Sequence, residues 1–193
     1  MVGRPPRVSD DDVYAAVAQV ITDHGPTGLT LARVGESVGV TAAALVQRFG
    51  SKRALLLSFA RRAPSATADI FDHATRRMPA PLDALGEALD ALVLPVETPQ
   101  QLANHLAFLC VDLTDEDFNQ AARQQALIFR ERVQQLLDQA VTARTLKPID
   151  TRTLAEAVHT AWNGALITWA LVGRGPVRAT VTRAVATILD PHR

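Results

Sequence analysis

From Val13 onward, apolar residues recur three and four positions apart: Val13, Ala16, Val17, Val20 and Ile21. This is the spacing of one face of an α-helix. Ser9 stands at the N-cap, and Asp10, Asp11 and Asp12 fill the first turn, where the helix dipole favours anions. Gly25 and Pro26 are expected to end this helix. A second, short stripe follows at Leu31, Val34 and Val38, capped by Thr30 and stopped by Gly39. Two residues later Thr41 caps a third helix whose inward residues are Leu45 and Phe49. Gly50 and Ser51 break it and cap a fourth, which opens with "KRALLLSFARR". Pro64 is expected to kink or end that fourth helix, with the pattern resuming at Ile70, Phe71 and Ala74.

Further helices are predicted over 81–94, 99–112, 115–144, 151–172 and 176–189, separated by segments bearing Pro, Gly or a capping residue. The stripe is clearest at Phe118, Ala122, Ala126, Phe129, Val133, Leu136 and Ala140. No stretch alternates convincingly with period two. The pattern predicts an all-α chain of about nine helices.

Composition agrees. Hydrophobic residues make up 48% of the 193, so a core can be buried, and the dominant Ala and Leu are helix formers. The one cysteine, Cys110, excludes an internal disulfide and a Cys-based zinc site. In its apolar setting "HLAFLCVDL" it reads as an inert core thiol. No basic-then-apolar signal opens the chain. The charge-free run from Ala157 to Gly173 is about one turn short of a ~20-residue membrane span and contains His159 and Asn163. A soluble, cytoplasmic protein without a membrane partner is expected. Net charge is zero, but residues 1–62 carry an excess of three positive charges that the remainder balances.

The stretch from Gly39 to Lys52 decides what that basic end does. A two-turn helix stops at Gly39, a tight turn follows, and Thr41 starts a crossing helix: a helix-turn-helix. Gly39 is expected in the left-handed conformation, with Val34, Val38, Val40 and Leu45 filling the corner. Such a unit lays its second helix in the DNA major groove, N-terminal residues toward base edges. The candidates are Thr41, Ala42, Ala43, Ala44, Gln47 and Arg48. Alanine methyls suit thymine methyls, Gln suits adenine, and Arg suits guanine or phosphate. Thr30, Ser51 and Lys52 stand at helix N-termini, where free N–H groups and an ammonium suit a phosphate. Arg4 and Arg7 give the N-terminal arm "MVGRPPRV" the charge to contact DNA, the alternative being a disordered tail.

These residues resemble the TetR family of transcriptional regulators. The likeness covers about residues 9–60 and runs through "LTLARVGESVGVTAAALVQRFGSKRALL". Thr30-Leu31, Val34, Gly39-Val40-Thr41, Leu45, Phe49 and Ser51-Lys52-Arg53-Ala54-Leu55 all fall in register. The chain departs from the family at three places: Val46 replaces a frequent Tyr, Ala42 a frequent Lys, and Gly35 a usual Ala inside the second helix. Gly35 should cost up to ~1 kcal/mol unless close packing demands it. With few basic residues on the third helix, modest affinity and reliance on dimerisation are expected.

The resemblance implies a DNA-binding domain over 1–53, and a helical ligand-binding and dimerisation domain over 54–193. It implies a homodimer on a pseudo-palindromic double-stranded DNA operator, released by a small-molecule effector, with repression as the family's tendency. The last two helices would form a four-helix bundle with a second subunit through Ala161, Gly164, Ala165, Ile167, Thr168, Leu171, Val172, Val181, Ala184, Val185 and Ile188, the alternative being that these residues fill an intrachain core. For a largely apolar effector the candidate lining is Phe71, His105, Phe108, Phe129, His159, Trp162 and Asn163, with Cys110. Two readings of His159 and Asn163 stay open: they face a ligand, or they bond across the dimer or to water.

The spacing of His73, His105 and His159 gives no support to a metal site, and no metal or cofactor is expected. No phosphate loop, nucleophile elbow or paired-His helix appears, so no enzyme is expected. The competing readings are an all-α small-molecule carrier whose N-terminal corner is structural, and a helical enzyme of unknown type.

Overall fold

The computed structural model describes residues 8–93 and 96–193. Arg4 and Arg7 therefore lie outside the described residues. Nine α-helices and a short C-terminal 3-10 turn are present among them, and no strand. They are α1 (Asp10–Gly28), α2 (Leu31–Val38), α3 (Ala42–Phe49), α4 (Lys52–Arg77), α5 (Pro81–Val93), α6 (Pro99–Thr114), α7 (Glu116–Thr142), α8 (Thr151–Val172) and α9 (Val177–Leu189). The all-α expectation holds.

Local chemistry starts most of these helices. Side chains of Ser9, Thr30, Thr41, Ser51 and Thr98 each accept a hydrogen bond from the backbone N–H three residues on. Each such cap is worth about 1 kcal/mol. At Ser9 the box closes reciprocally, because Asp12 accepts from the Ser9 backbone N–H at 2.8 Å. Gly39 adopts φ 71°, ψ 30°, the left-handed cap expected of it.

One proline departs from the sequence expectation and the other falls within it. Gly25 does break the helical dihedrals, at φ 67°, ψ 175°, but Pro26 restarts one more turn to Gly28. Having no N–H, Pro26 cannot bond the Thr22 carbonyl. The side-chain amide of Asn104 on α6 does so instead, at 2.8 Å. Pro64 does not end α4, which runs on to Arg77 with Pro64 buried inside it. The helix forfeits one backbone bond there while α4 packs along α7 over much of its length.

The apolar faces assemble two clusters. One joins α1, α2, α3 and the first turns of α4 with Phe118 and Ala121 of α7. The other gathers the later part of α4 with α5, α7, α8 and α9. Helix α4 runs through both, and α6 lies along α1, where His105 Nε2 is 3.0 Å from the Thr22 hydroxyl.

Two readings of the second half are corrected. Cys110 is exposed, because α6 turns its Phe108 and Val111 face to the core and Cys110 away from it. Ala165, Val181 and Val185 are buried in this chain's own core, so they are not free for a partner. Asn163 is exposed and its side-chain amide donates to the His159 carbonyl at 3.0 Å.

Candidate nucleic-acid interface

Helix α3 is fixed from beneath by Leu45, 1% exposed, and by half-buried Phe49, which meets Tyr14 of α1 at 6.1 Å between ring centroids. With these as anchors, Ala43, Ala44, Gln47 and Arg48 point outward, and Ala42 is half-buried. Thr41 is also exposed, but its hydroxyl is engaged with the Ala44 N–H at 3.1 Å. The outer face thus consists of methyl groups, one amide and one guanidinium. It is slim enough to enter a major groove about 12 Å wide and carries both donors and acceptors for base edges.

Val46 belongs to the same face, 45% exposed. In the sequence it stood out only as a departure from the family's frequent Tyr. An exposed β-branched residue there is instead an apolar contact surface of the kind that suits a thymine methyl. Its place in the family register, where Tyr is frequent, was the signal.

The flanking cations are already engaged. Lys52 Nζ donates to the Pro26 carbonyl at 3.0 Å, and Arg33 Nη1 to the Gly28 carbonyl at 2.6 Å. Both therefore satisfy carbonyls at the end of α1, where a positive charge is favoured. Arg48 is tied to the start of α1, through the Val8 carbonyl and the Asp10 carboxylate. Arg53 bonds Asp115 and Asp117 at 2.9 and 2.8 Å and lies over the Phe118 ring, linking the first turn of α4 to the α6–α7 corner. Those two carboxylates hold its guanidinium above the usual arginine range, the bond to Asp117 first. Thr30 and Ser51 hydroxyls cap their own helices.

The residues read as an effector lining fall into two groups. Phe71 and Phe129 meet edge-on at 5.7 Å; His159 stacks on Phe129 at 4.5 Å, and Trp162 closes to 5.5 Å. Burial, and secondarily the Arg130 charge, hold His159 below the ordinary imidazole range. The indole N–H of Trp162 is buried without a partner. His105 and Phe108 lie elsewhere. His105 faces Thr22 on α1, and Phe108 meets Phe59 and Phe118 at 6.2 and 6.1 Å. They belong to the joint between the N-terminal helices and the rest. His73 is exposed. Among the described residues no group of His, Cys, Asp or Glu is placed to hold a metal, and no helix is long and apolar enough to cross a membrane.

An exposed second helix of a helix-turn-helix, set on an all-α body, defines the class of the fold. Residues 13–59 match the family model for bacterial regulatory proteins of the tetR family. Those residues are a TetR-family N-terminal domain, and the whole chain carries the fold of that family's regulators. It is similar to a TetR transcription regulator of Haloarcula marismortui, with TM-score 0.72 and 18% identity over 95% of this chain and 97% of that one. Reduced NemR of E. coli aligns with TM-score 0.72 and 15% identity over 95% and 97%. FadR of Bacillus subtilis in complex with stearoyl-CoA aligns with TM-score 0.67 and 12% identity over 96% and 100%. At these identities the likeness is one of fold alone. No curated protein matches the sequence.

Proposed function

We propose that this chain is a homodimeric transcriptional regulator, acting as a repressor that a small molecule releases from a pseudo-palindromic operator. Residues 1–53 would serve as the DNA-binding domain and 54–193 as the ligand-binding and dimerisation domain, in the cytoplasm. The observation that carries the reading is the outer face of α3. Ala43, Ala44, Val46, Gln47 and Arg48 are all exposed there, on a helix held rigidly by Leu45 and Phe49.

Two further features support the rest. Ile167, Leu171 and Val172 on α8 are 45%, 80% and 70% exposed, an apolar strip beside exposed Gly164 that suits a two-fold partner. The Phe129–Trp162 ring cluster offers apolar walls and one unspent donor, which fits a largely apolar effector with a single acceptor. The stearoyl-CoA held by the Bacillus subtilis relative is amphipathic in the same sense. An effector that binds better to the state with wrongly spaced recognition helices would release DNA by population shift.

A gel shift with the DNA upstream of the protein's own gene tests the reading. A sequence-specific, salt-sensitive complex should form in at least one ligand state. Its absence in every ligand state would leave the N-terminal corner merely structural. Sedimentation should give a dimer at micromolar concentration; a monomer contradicts the two-fold arrangement.

A further inference from the structure

The three aspartates that open α1 share out three different tasks. Asp12 closes the capping box with Ser9, and those bonds, more than any other cause, hold its carboxyl below the usual range. Asp11 faces Arg62 at 3.6 Å. Asp10 pairs with Arg48 on the outer face of α3. The helix dipole explains why acids sit in this turn. It does not explain why one of them occupies the guanidinium best placed for DNA.

The Arg48 fork is fully engaged at both ends. Nη1 donates to the Val8 carbonyl at 2.8 Å and Nη2 meets the Asp10 carboxylate. The guanidinium also lies 5.5 Å from the centre of the Phe49 ring. Arg48 lines an open cleft of about 530 Å³ between the start of α1 and α3, together with Val8, Ser9, Ala44 and Gln47. To a guanidinium, a carboxylate offers the same pair of acceptor oxygens as a phosphodiester.

We infer that Asp10 is an internal stand-in for a DNA phosphate, which the duplex must displace from Arg48 on binding. This rests on the DNA-binding reading above. Once displaced, the Asp10 carboxylate is left without its cation beside the phosphodiester chain. Every encounter with DNA therefore carries both the lost pair and the new repulsion. The contact lowers affinity for duplexes generally and withholds one cation from the counterion exchange that drives binding.

The test uses the full chain, a duplex carrying the upstream DNA and an unrelated duplex of equal length, titrated across a salt series. Asp10→Asn keeps the Ser9–Asp12 box, so the helix start should survive; a thermal melt checks that. Asp10→Asn should tighten binding to both duplexes by roughly two- to fivefold, the range of an exposed pair. It should also steepen the slope of log affinity against log salt by about 0.9. Asp11→Asn, the same charge change turned toward Arg62, should shift neither by as much. In an Arg48→Ala background most of the Asp10→Asn gain should vanish, since the two residues act as a coupled pair.

Weaker binding by Asp10→Asn would mean that Asp10 aims Arg48 at DNA, and overturns the inference. So does an undiminished gain in the Arg48→Ala background, which would reduce Asp10 to general charge repulsion. If neither the parent nor any variant binds either duplex at the lowest salt, the DNA-binding reading falls and this inference falls with it.

Discussion

The carbonyl oxygen of Val40 occupies the space that a side chain on Gly35 would need: a Cβ there would lie 2.4 Å from it. The backbone after α2 folds straight back over that position, with the Val40 N–H bonded to the Gly35 carbonyl at 2.9 Å. Gly35 is the residue whose helix cost looked unexplained, and this close approach is the reason for it. Gly35→Ala would gain up to ~1 kcal/mol of helix propensity, but the backbone oxygen has to move. The variant should lose roughly 1–3 kcal/mol of stability, the range of overpacked sites, read as a lower urea midpoint. A variant as stable as the parent would mean that the turn after α2 shifts freely.

His105 joins α6 to α1 through Thr22, and burial holds its pKa below the ordinary value of 6.5. The unfolded chain therefore takes up the proton first. Stability should be full above about pH 6.5 and decline as pH falls from there toward the folded-state pKa. His159 has its pKa lowered too and contributes in the same direction. His105→Gln keeps a polar partner for Thr22 and should flatten the fall in urea midpoint between neutral and mildly acidic pH. An unchanged profile would remove His105 as a cause.

Asp112 works in the opposite sense. Its Oδ1 is buried without a partner, and burial pushes its pKa from 3.8 to about 6. The charged form is disfavoured in the folded chain, so Asp112 lowers stability above about pH 6 and the loss is recovered as pH falls toward 3.8. Asp112→Asn should stabilise the protein at pH 7.5 by about 1 kcal/mol, allowing for partial solvent access. Near pH 4 the gain should disappear. Calorimetric melting at the two pH values measures this, and an equal gain at both would point to packing instead.

Lys52 has two roles that separate cleanly. As a cap on the Pro26 carbonyl, it should be worth roughly 0.5 kcal/mol of stability. As a phosphate contact it should support all duplexes alike. Lys52→Ala should weaken operator and unrelated DNA by similar factors and make the salt slope shallower by about 0.9. A lower melting point with unchanged DNA affinity would leave Lys52 as a cap alone.

What the sequence made legible was local. Caps at Ser9, Thr30, Thr41 and Ser51, the left-handed Gly39 and the inward Leu45 and Phe49 all depend on residues within a few positions, and all stand where the pattern put them. The misreadings depended on partners distant in the chain. His105 and Phe108 left the expected effector lining because α6 lies on α1 and reaches Phe59. Val181 and Val185 went to the intrachain core, and Cys110 to the surface. The Asp10–Arg48 pair joins residues 38 positions apart, which no periodicity encodes.

The central claim is that the outer face of α3 reads base sequence, in pairs. Selection of bound duplexes from a random pool tests it most directly. The account predicts enrichment of a pseudo-palindrome with half-sites about one helical turn, or a multiple of it, apart. It also predicts that Gln47→Ala relaxes the preference at one position of each half-site. A pool that stays random through repeated rounds, while salt-sensitive binding persists, would contradict the claim and leave only a non-specific phosphate contact.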